Sequence, residues 1–233
     1  GRCLQGRSTQ LSSMDSNGTG SGNCLPPNAL LGEYRLLGVI GEGGFGIVYR
    51  AQDLSLDREV AIKEYLPATM ASRSGTTDVL VRSQHRGAFD AGLRSFINEA
   101  RLLAKFSHPA LVQVHRFFEG NGTAYMVMRC YEGQTLRSFL DKPTKVIDER
   151  WLKAILSPLL DVLEMLHAAD CYHRDIAPDN VFLQNSGTPV MLDFGAARRI
   201  ISDMTQALTM VLKPGFAPIE QYAEDGSMPQ GAW

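Results

Sequence analysis

Six residues, Gly41-Glu42-Gly43-Gly44-Phe45-Gly46, limit the fold of this 233-residue chain more than any other run in it. The GxGxxG spacing lets backbone N–H groups approach phosphate oxygens with no Cβ in the way, because glycine also adopts φ > 0. The plain alternative is a hairpin turn. Dinucleotide-binding folds use the same spacing, but there it opens a helix inside a βαβ unit. Here Ile47-Val48-Tyr49 follows, a run that predicts a strand. A glycine cluster between two strands points to a lid over a nucleotide.

The pattern around that lid predicts an α+β chain. Residues 34–53 alternate apolar and polar on both sides of the glycines, and residues 58–63 read as a third strand with Ala61 and Lys63 on one face. Residues 66–91 are polar and irregular apart from 79–81, and read as a functional or mobile insertion. Leu93, Phe96, Ile97, Ala100, Leu103 and Ala104 fall at helical spacing over 93–105. Residues 110–119 and 123–130 form two further strands joined through Asn121-Gly122, a hairpin signal. Beyond Gly133 the period turns helical. Asp148 caps a helix running to about His167, with Leu152, Ile155, Leu159, Leu163 and Leu166 on its stripe and Pro158 as a kink point. A strand-rich part followed by a helix-rich part predicts two lobes. The expected division is a flexible arm at 1–29, a first lobe at 30–131, and a second lobe at 132–233.

Composition excludes several partners. The net charge of −2 argues against a nucleic-acid binder and a polybasic membrane binder. Five His and four Cys are too scattered for a metal or disulfide framework, so a reducing cytosol is the default compartment. The apolar run at 151–168 is broken by Asp161 and Glu164 and cannot span a bilayer.

Four stretches carry chemistry. Lys63 ends a strand 17 residues after Gly46. A cation there suits polyphosphate, and Glu99 in the following helix could hold it in place. The alternatives are an edge lysine and a solvated helix face. The run HRDIAPDN (residues 173–180) places Asp175 five residues before Asn180, and Asp193 opens DFG. Two Asp carboxylates and one Asn oxygen are hard donors, suited to Mg²⁺ and to accepting a hydroxyl proton.

These residues resemble the eukaryote-like protein kinases, and the bacterial serine/threonine branch most closely. GEGGFGIV is similar to that family's glycine-rich loop, VAIK to its strand lysine motif, HRDIAPDN to its catalytic loop, DFG to its metal loop, and APIE to its APE segment, all in family order over about 34–233. The resemblance implies a two-lobe, protein-kinase-like fold and transfer of the ATP γ-phosphoryl to protein hydroxyls, with ATP and Mg²⁺ bound. Gly41, Gly43, Gly44 and Gly46 would cover the phosphates. Lys63 would pair with the phosphates and with Glu99. Asp175 would orient the acceptor hydroxyl and take its proton, while Asn180 and Asp193 would hold the metal. Met128 would be the gatekeeper, with the backbone of Arg129 and Tyr131 on adenine. Val48, Ala61 and Phe182 would sandwich the ring.

Three departures from the family pattern follow. Ala177 stands where serine/threonine kinases carry a lysine that neutralises the γ-phosphate. Lys213 stands seven residues before Glu220, where the family places a threonine. Lys213 either supplies the charge missing at Ala177 or is a solvated loop lysine. The chain also stops at Trp233, short of the family's last helices, as a cut fragment or a shortened kinase. The exposed apolar surface expected from that end would favour a homodimer. Arg174 suggests an activation segment ordered by phosphate, with Thr209 first and Thr205 second as the phosphorylated residues. Two competing functions are a non-catalytic nucleotide-binding module and a small-molecule kinase. The first would follow from the missing helices. The second usually lacks both the arginine and the APE segment. No particular protein substrate is identifiable.

Overall fold

The computed structural model describes residues 22–73, 75, 77–144, 146–169, 171–173, 175–193 and 216. The first lobe is a six-stranded antiparallel sheet in the order β1-β2-β3-β4-β8-β7. Its strands are β1 (Leu30–Leu31), β2 (Tyr34–Gly43), β3 (Gly46–Asp53), β4 (Arg58–Tyr65), β7 (Val114–Gly120) and β8 (Thr123–Arg129). A separate ribbon pairs β5 (Ala71–Arg73) with β6 (Val79–Val81). The second lobe carries a three-stranded sheet in the order β11-β10-β9, from β9 (Gly133–Thr135), β10 (Val181–Gln184) and β11 (Pro189–Met191).

Local chemistry explains most of these elements. Asn121 (φ 52°) and Gly122 (φ 70°) both take positive φ, the geometry of a two-residue turn whose twist matches the flanking strands. Register shifts in β2 between Leu36 and Gly38 and between Val39 and Gly41 increase its twist just before the glycine lid. On β4, both faces are buried from Val60 onward, so Lys63 is half-buried rather than an edge residue. Helix α3 (Glu149–His167) starts where Asp148 Oδ1 accepts from the Trp151 N–H at 2.7 Å, and it continues through Pro158.

Several elements differ from the expectation. Helix α1 spans Arg86–Leu103, seven residues longer at its start than the 93–105 pattern predicts. Ala88, Gly92 and Ser95 extend its buried face, and such small residues hide a hydrophobic period. Ala104 is the exposed cap residue rather than part of the stripe. The buried stripe of α3 is Ile155, Leu159, Val162 and Leu166, whereas Leu152 is 43% exposed and Leu163 half-buried. Leu156 and Leu160 continue a second, outward apolar row from Leu152 at i, i+4, i+8, and two such rows blur a one-face reading.

The insertion and the end of the arm are also more ordered than the sequence suggests. Ala71–Arg73 and Val79–Val81 form the β5–β6 ribbon, and Val79 N–H donates to Asn121 O at 2.8 Å, which docks the ribbon on the β7–β8 turn. Residues 22–28 form a strap across the lobe, with Leu25 3% exposed and Asn28 N–H bonded to Leu36 O at 2.8 Å.

The two lobes meet through backbone. Val112 N–H donates to Met191 O at 2.9 Å and Met191 N–H to Ala110 O at 2.8 Å, so the segment before β7 lies along β11. Helix α2 (Leu136–Asp141), capped by Thr135, packs by Phe139 against Trp151 of α3 at 5.1 Å between ring centroids. Among the described residues no helix is long and apolar enough to cross a membrane.

Candidate active site

The lid closes where β2 turns into β3, with Gly43 opposite Gly46 in the ladder. Each glycine serves differently. A Cβ on Gly46 would drive into the carbonyl oxygen of Glu64, with the carbonyl carbon at 3.3 Å. A Cβ on Gly43 or Gly44 would meet nothing within 4 Å, and on Gly41 only Val48, at 3.7 Å. The absence of a side chain at 46 therefore permits strand packing, and at 43 and 44 it leaves open space.

Beneath the lid, sheet register sets the neighbours. Val48 lies opposite Lys63, and Ala61 opposite Met128. Ala61 and Met128 are 6% and 8% exposed, a small and a flexible apolar residue side by side. In the second lobe Phe182, half-buried on β10, stands opposite Thr135 of β9. Between the lobes, Arg129 N–H donates to Gln113 O at 2.9 Å, and Gln113 N–H donates to Tyr131 Oη at 3.2 Å. Burial pushes the Tyr131 phenol up, so it stays neutral.

The charged centre is built from β4, α1 and the chain after β11. Lys63 Nζ lies 2.7 Å from Asp193 Oδ1 and 5.8 Å from the centre of the Phe96 ring. Glu99 follows Phe96 by three residues on α1, which puts both on one helix face, and it is 4% exposed. The solvated-face alternative for Glu99 is therefore excluded.

The catalytic-loop residues clasp one another. Asn180 Nδ2 donates to Asp175 Oδ2 and to Asp175 O, both at 2.7 Å, and Asn180 is 5% exposed. Asp175 N–H donates to His173 Nδ1 at 3.3 Å, with His173 buried. Asn180 is thus the buried brace that orients the Asp175 carboxylate. The Leu192 N–H donates to Asn180 O at 2.8 Å, which brings the next residue, Asp193, alongside. Because both bonds of the Asn180 amide to Asp175 run through nitrogen, its oxygen retains acceptor capacity for a cation. That oxygen and the Asp193 carboxylate are hard donors, and Mg²⁺ takes one or two of these with phosphate and water completing its shell. The residues present fit that ion.

Ala177 is 4% exposed in extended backbone, and its carbonyl accepts from Asn180 N–H at 2.9 Å. Asp179 points outward to Arg137 Nε at 3.6 Å, away from the clasp. Lys213, Thr205, Thr209, Arg174 and the APIE run lie outside the described residues.

The sequence reading missed a buried network next to Lys63. Glu64, fully buried, accepts from the Arg73 guanidinium on both carboxylate oxygens and from Tyr49 Oη at 2.8 Å. The polar insertion gave no sign that Arg73 would turn inward.

Residues 34–225 match the protein kinase domain family. A probable serine/threonine-protein kinase of Streptomyces coelicolor is 36% identical over 188 residues, covering 78% of this chain and 25% of its own. The probable kinase PknB of Lactococcus lactis is 31% identical over 179 residues, 76% of this chain and 26% of its own. The solved apo form of PpkA-294 superposes with a TM-score of 0.83 at 48% identity, covering 88% of this chain and 73% of that one. The chain spans about a quarter of the length of those two curated relatives. A glycine lid, a strand lysine and an Asp–Asn clasp beside a second Asp, together with these likenesses, establish that the chain belongs to the protein kinase domain family.

Proposed function

We propose that this chain transfers the γ-phosphoryl of ATP to serine or threonine hydroxyls of proteins, with Mg²⁺ as cofactor. The observation that carries the reading is the Asp175–Asn180 clasp set beside the Asp193–Lys63 pair. The names of the two curated relatives above, both serine/threonine-protein kinases, support the acceptor class.

Each residue has a role in this reading. Gly43 and Gly44 let the lid backbone approach phosphate, and Lys63 would move from Asp193 to phosphate oxygens. Glu99, buried on the same helix face as Phe96, would help to hold the lysine in place. Met128, Val48, Ala61 and Phe182 form an apolar slot for the adenine ring, with backbone polar groups from Arg129 and Tyr131. From Arg129 that leaves the carbonyl, because its N–H already donates to Gln113. Asn180 and Asp193 would hold Mg²⁺, which would supply positive charge to the transferring phosphoryl group. Asp175, its carboxylate fixed by Asn180, orients the acceptor hydroxyl and takes its proton. A bound and oriented pair of this kind works by positioning and electrostatics more than by covalent chemistry.

Lys213 supplies the charge that Ala177 lacks, and Thr209, then Thr205, accept phosphate in autophosphorylation. A cytoplasmic location follows from the need for ATP. A homodimer through the helical lobe rests on the outward row Leu152, Leu156 and Leu160, and light scattering that finds only monomer removes it.

One set of reactions tests the reading. The chain and its Asp175→Asn and Lys213→Ala variants are incubated with radiolabelled Mg-ATP and a casein-like acceptor, and the products are mapped. Phosphotransfer by the parent, lost in Asp175→Asn, is expected. Lys213→Ala should lose kcat with little change in nucleotide affinity. Equal, null signals from parent and Asp175→Asn would leave a nucleotide-binding module instead.

A further inference from the structure

The insertion after β4 and the strap before β1 converge on the glycine lid, and their junction is a buried ion pair. At the lid, Leu66 N–H donates to Phe45 O at 3.2 Å and Ala68 N–H to Gly44 O at 3.1 Å. Two carbonyls at the lid tip are therefore held by the first residues of the insertion. From the other side, the Cys24 thiol of the strap faces Glu42 Oε2 at 3.9 Å.

Arg73 ties the insertion, the strap and β4 together. Its guanidinium forks onto Glu64, bonding Oε1 through Nη2 and Oε2 through Nη1 at 3.2 Å. Nη1 also donates to Asn23 O at 2.6 Å and Nε to Thr77 O at 2.7 Å, while Asn23 Oδ1 accepts from Arg73 N–H at 2.8 Å. Tyr49 closes the cluster, donating to Glu64 and accepting from Leu25 N–H at 3.1 Å. The Glu64 and Arg73 side chains are 0% and 3% exposed. A carboxylate so buried stays in place only when a matched cation and hydrogen bonds surround it. Glu64 directly follows Lys63, and its carbonyl is the group against which Gly46 packs.

We infer that residues 66–73 and 77–85, with the strap 22–28, are a brace for the glycine lid, and that Arg73 is the positioning residue that locks the brace to β4. The lid of this chain is not a freely swinging hairpin. Its tip is prepaid in order by the insertion root, so a bound nucleotide loses less on closing it. The inference rests on the nucleotide reading above for its affinity arm, and on the nucleotide-free chain for its other arm.

The test compares the parent with Arg73→Met and with the double variant Glu64→Gln/Arg73→Met. Three quantities are read: thermal midpoint, amide hydrogen exchange of peptides covering 41–48 and 64–70 without nucleotide, and Mg-ATP affinity by calorimetry. Arg73→Met should speed exchange in both peptides and weaken Mg-ATP binding, each on the order of tenfold. The double variant removes the stranded carboxylate, so its midpoint should recover towards the parent while exchange and affinity do not. Recovery of all three together would reduce the pair to a plain stability contact and overturn the inference. So would unchanged lid exchange in Arg73→Met. Should that variant not fold, Ala68→Pro removes the donor to Gly44 while leaving the ion pair, and lid exchange at the parental rate overturns the inference there. A parent that binds no Mg-ATP would instead refute the nucleotide reading, and the exchange arm would still decide the brace.

Discussion

The glycine lid offers a sharp contrast within one motif. Gly46→Ala places a methyl well inside the 3.0 Å below which Cβ contacts do not occur, against the backbone oxygen of Glu64. The obstacle is main chain in a paired strand, so it cannot rotate away. β3 must move from β4 at the Gly46–Tyr65 pair. Overpacking of this kind costs about 1–3 kcal/mol. For a chain of this size each kcal/mol lowers the melting temperature by about 2–4 °C, so a fall of about 2–12 °C is expected. Gly44→Ala is the control, because a methyl there meets nothing within 4 Å and the backbone is not in the positive-φ region. Alanine in place of glycine at such a site narrows the unfolded ensemble and stabilises by about 0.4–1 kcal/mol. Its midpoint should hold or rise by about 1–4 °C. Both variants are followed by circular dichroism and calorimetry. A Gly46→Ala midpoint equal to the parent, or a larger loss for Gly44→Ala, would refute the packing argument.

Two further predictions concern stability alone. Asp148→Ala removes the acceptor for Trp151 N–H at the start of α3 and should cost about 0.5–2 kcal/mol by thermal melting, whereas Asp148→Asn, which keeps an acceptor, should retain most of it. His115 is held below its usual value of 6.5 by burial first, then by Arg58 and Arg129, with Asp53 pulling the other way. As pH falls below 6.5 the unfolded chain takes up the proton first, so His115 lowers stability over that window and levels off below its folded value. His115→Gln should therefore show a smaller loss of melting temperature between about pH 7.5 and about pH 5.5, and an identical loss would refute the assignment.

The chemistry-bearing motifs were legible because they are short and contiguous. GEGGFG followed by a strand, VAIK, and Asp175 five residues before Asn180 each state their residue types within a few positions. Alternation marked β2 and β3, where burial also alternates over Tyr34–Leu37 and Gly46–Asp53, whereas β4 and β8 are buried on both faces and the β7–β8 pair was marked by its Asn121-Gly122 turn. Elements whose faces carry small or competing residues were less legible. Ala88 and Gly92 concealed the first two turns of α1, and the outward row Leu152, Leu156 and Leu160 competed with the inward stripe of α3. Glu99 could not be assigned from its helical position alone. Only packing against the sheet shows that its face is the buried one.

Local sequence thus carries which segments are strands or helices, their order, and the residue types of the site, because side-chain period and backbone preference act over a few residues. Partnerships are decided in three dimensions. Lys63 meets Asp193 across 130 positions, and Arg73 meets Asn23 across 50, because sheet register and strap placement bring them together. A buried carboxylate such as Glu64 demands a cation, but nothing in the chain's local pattern says which one the fold will deliver.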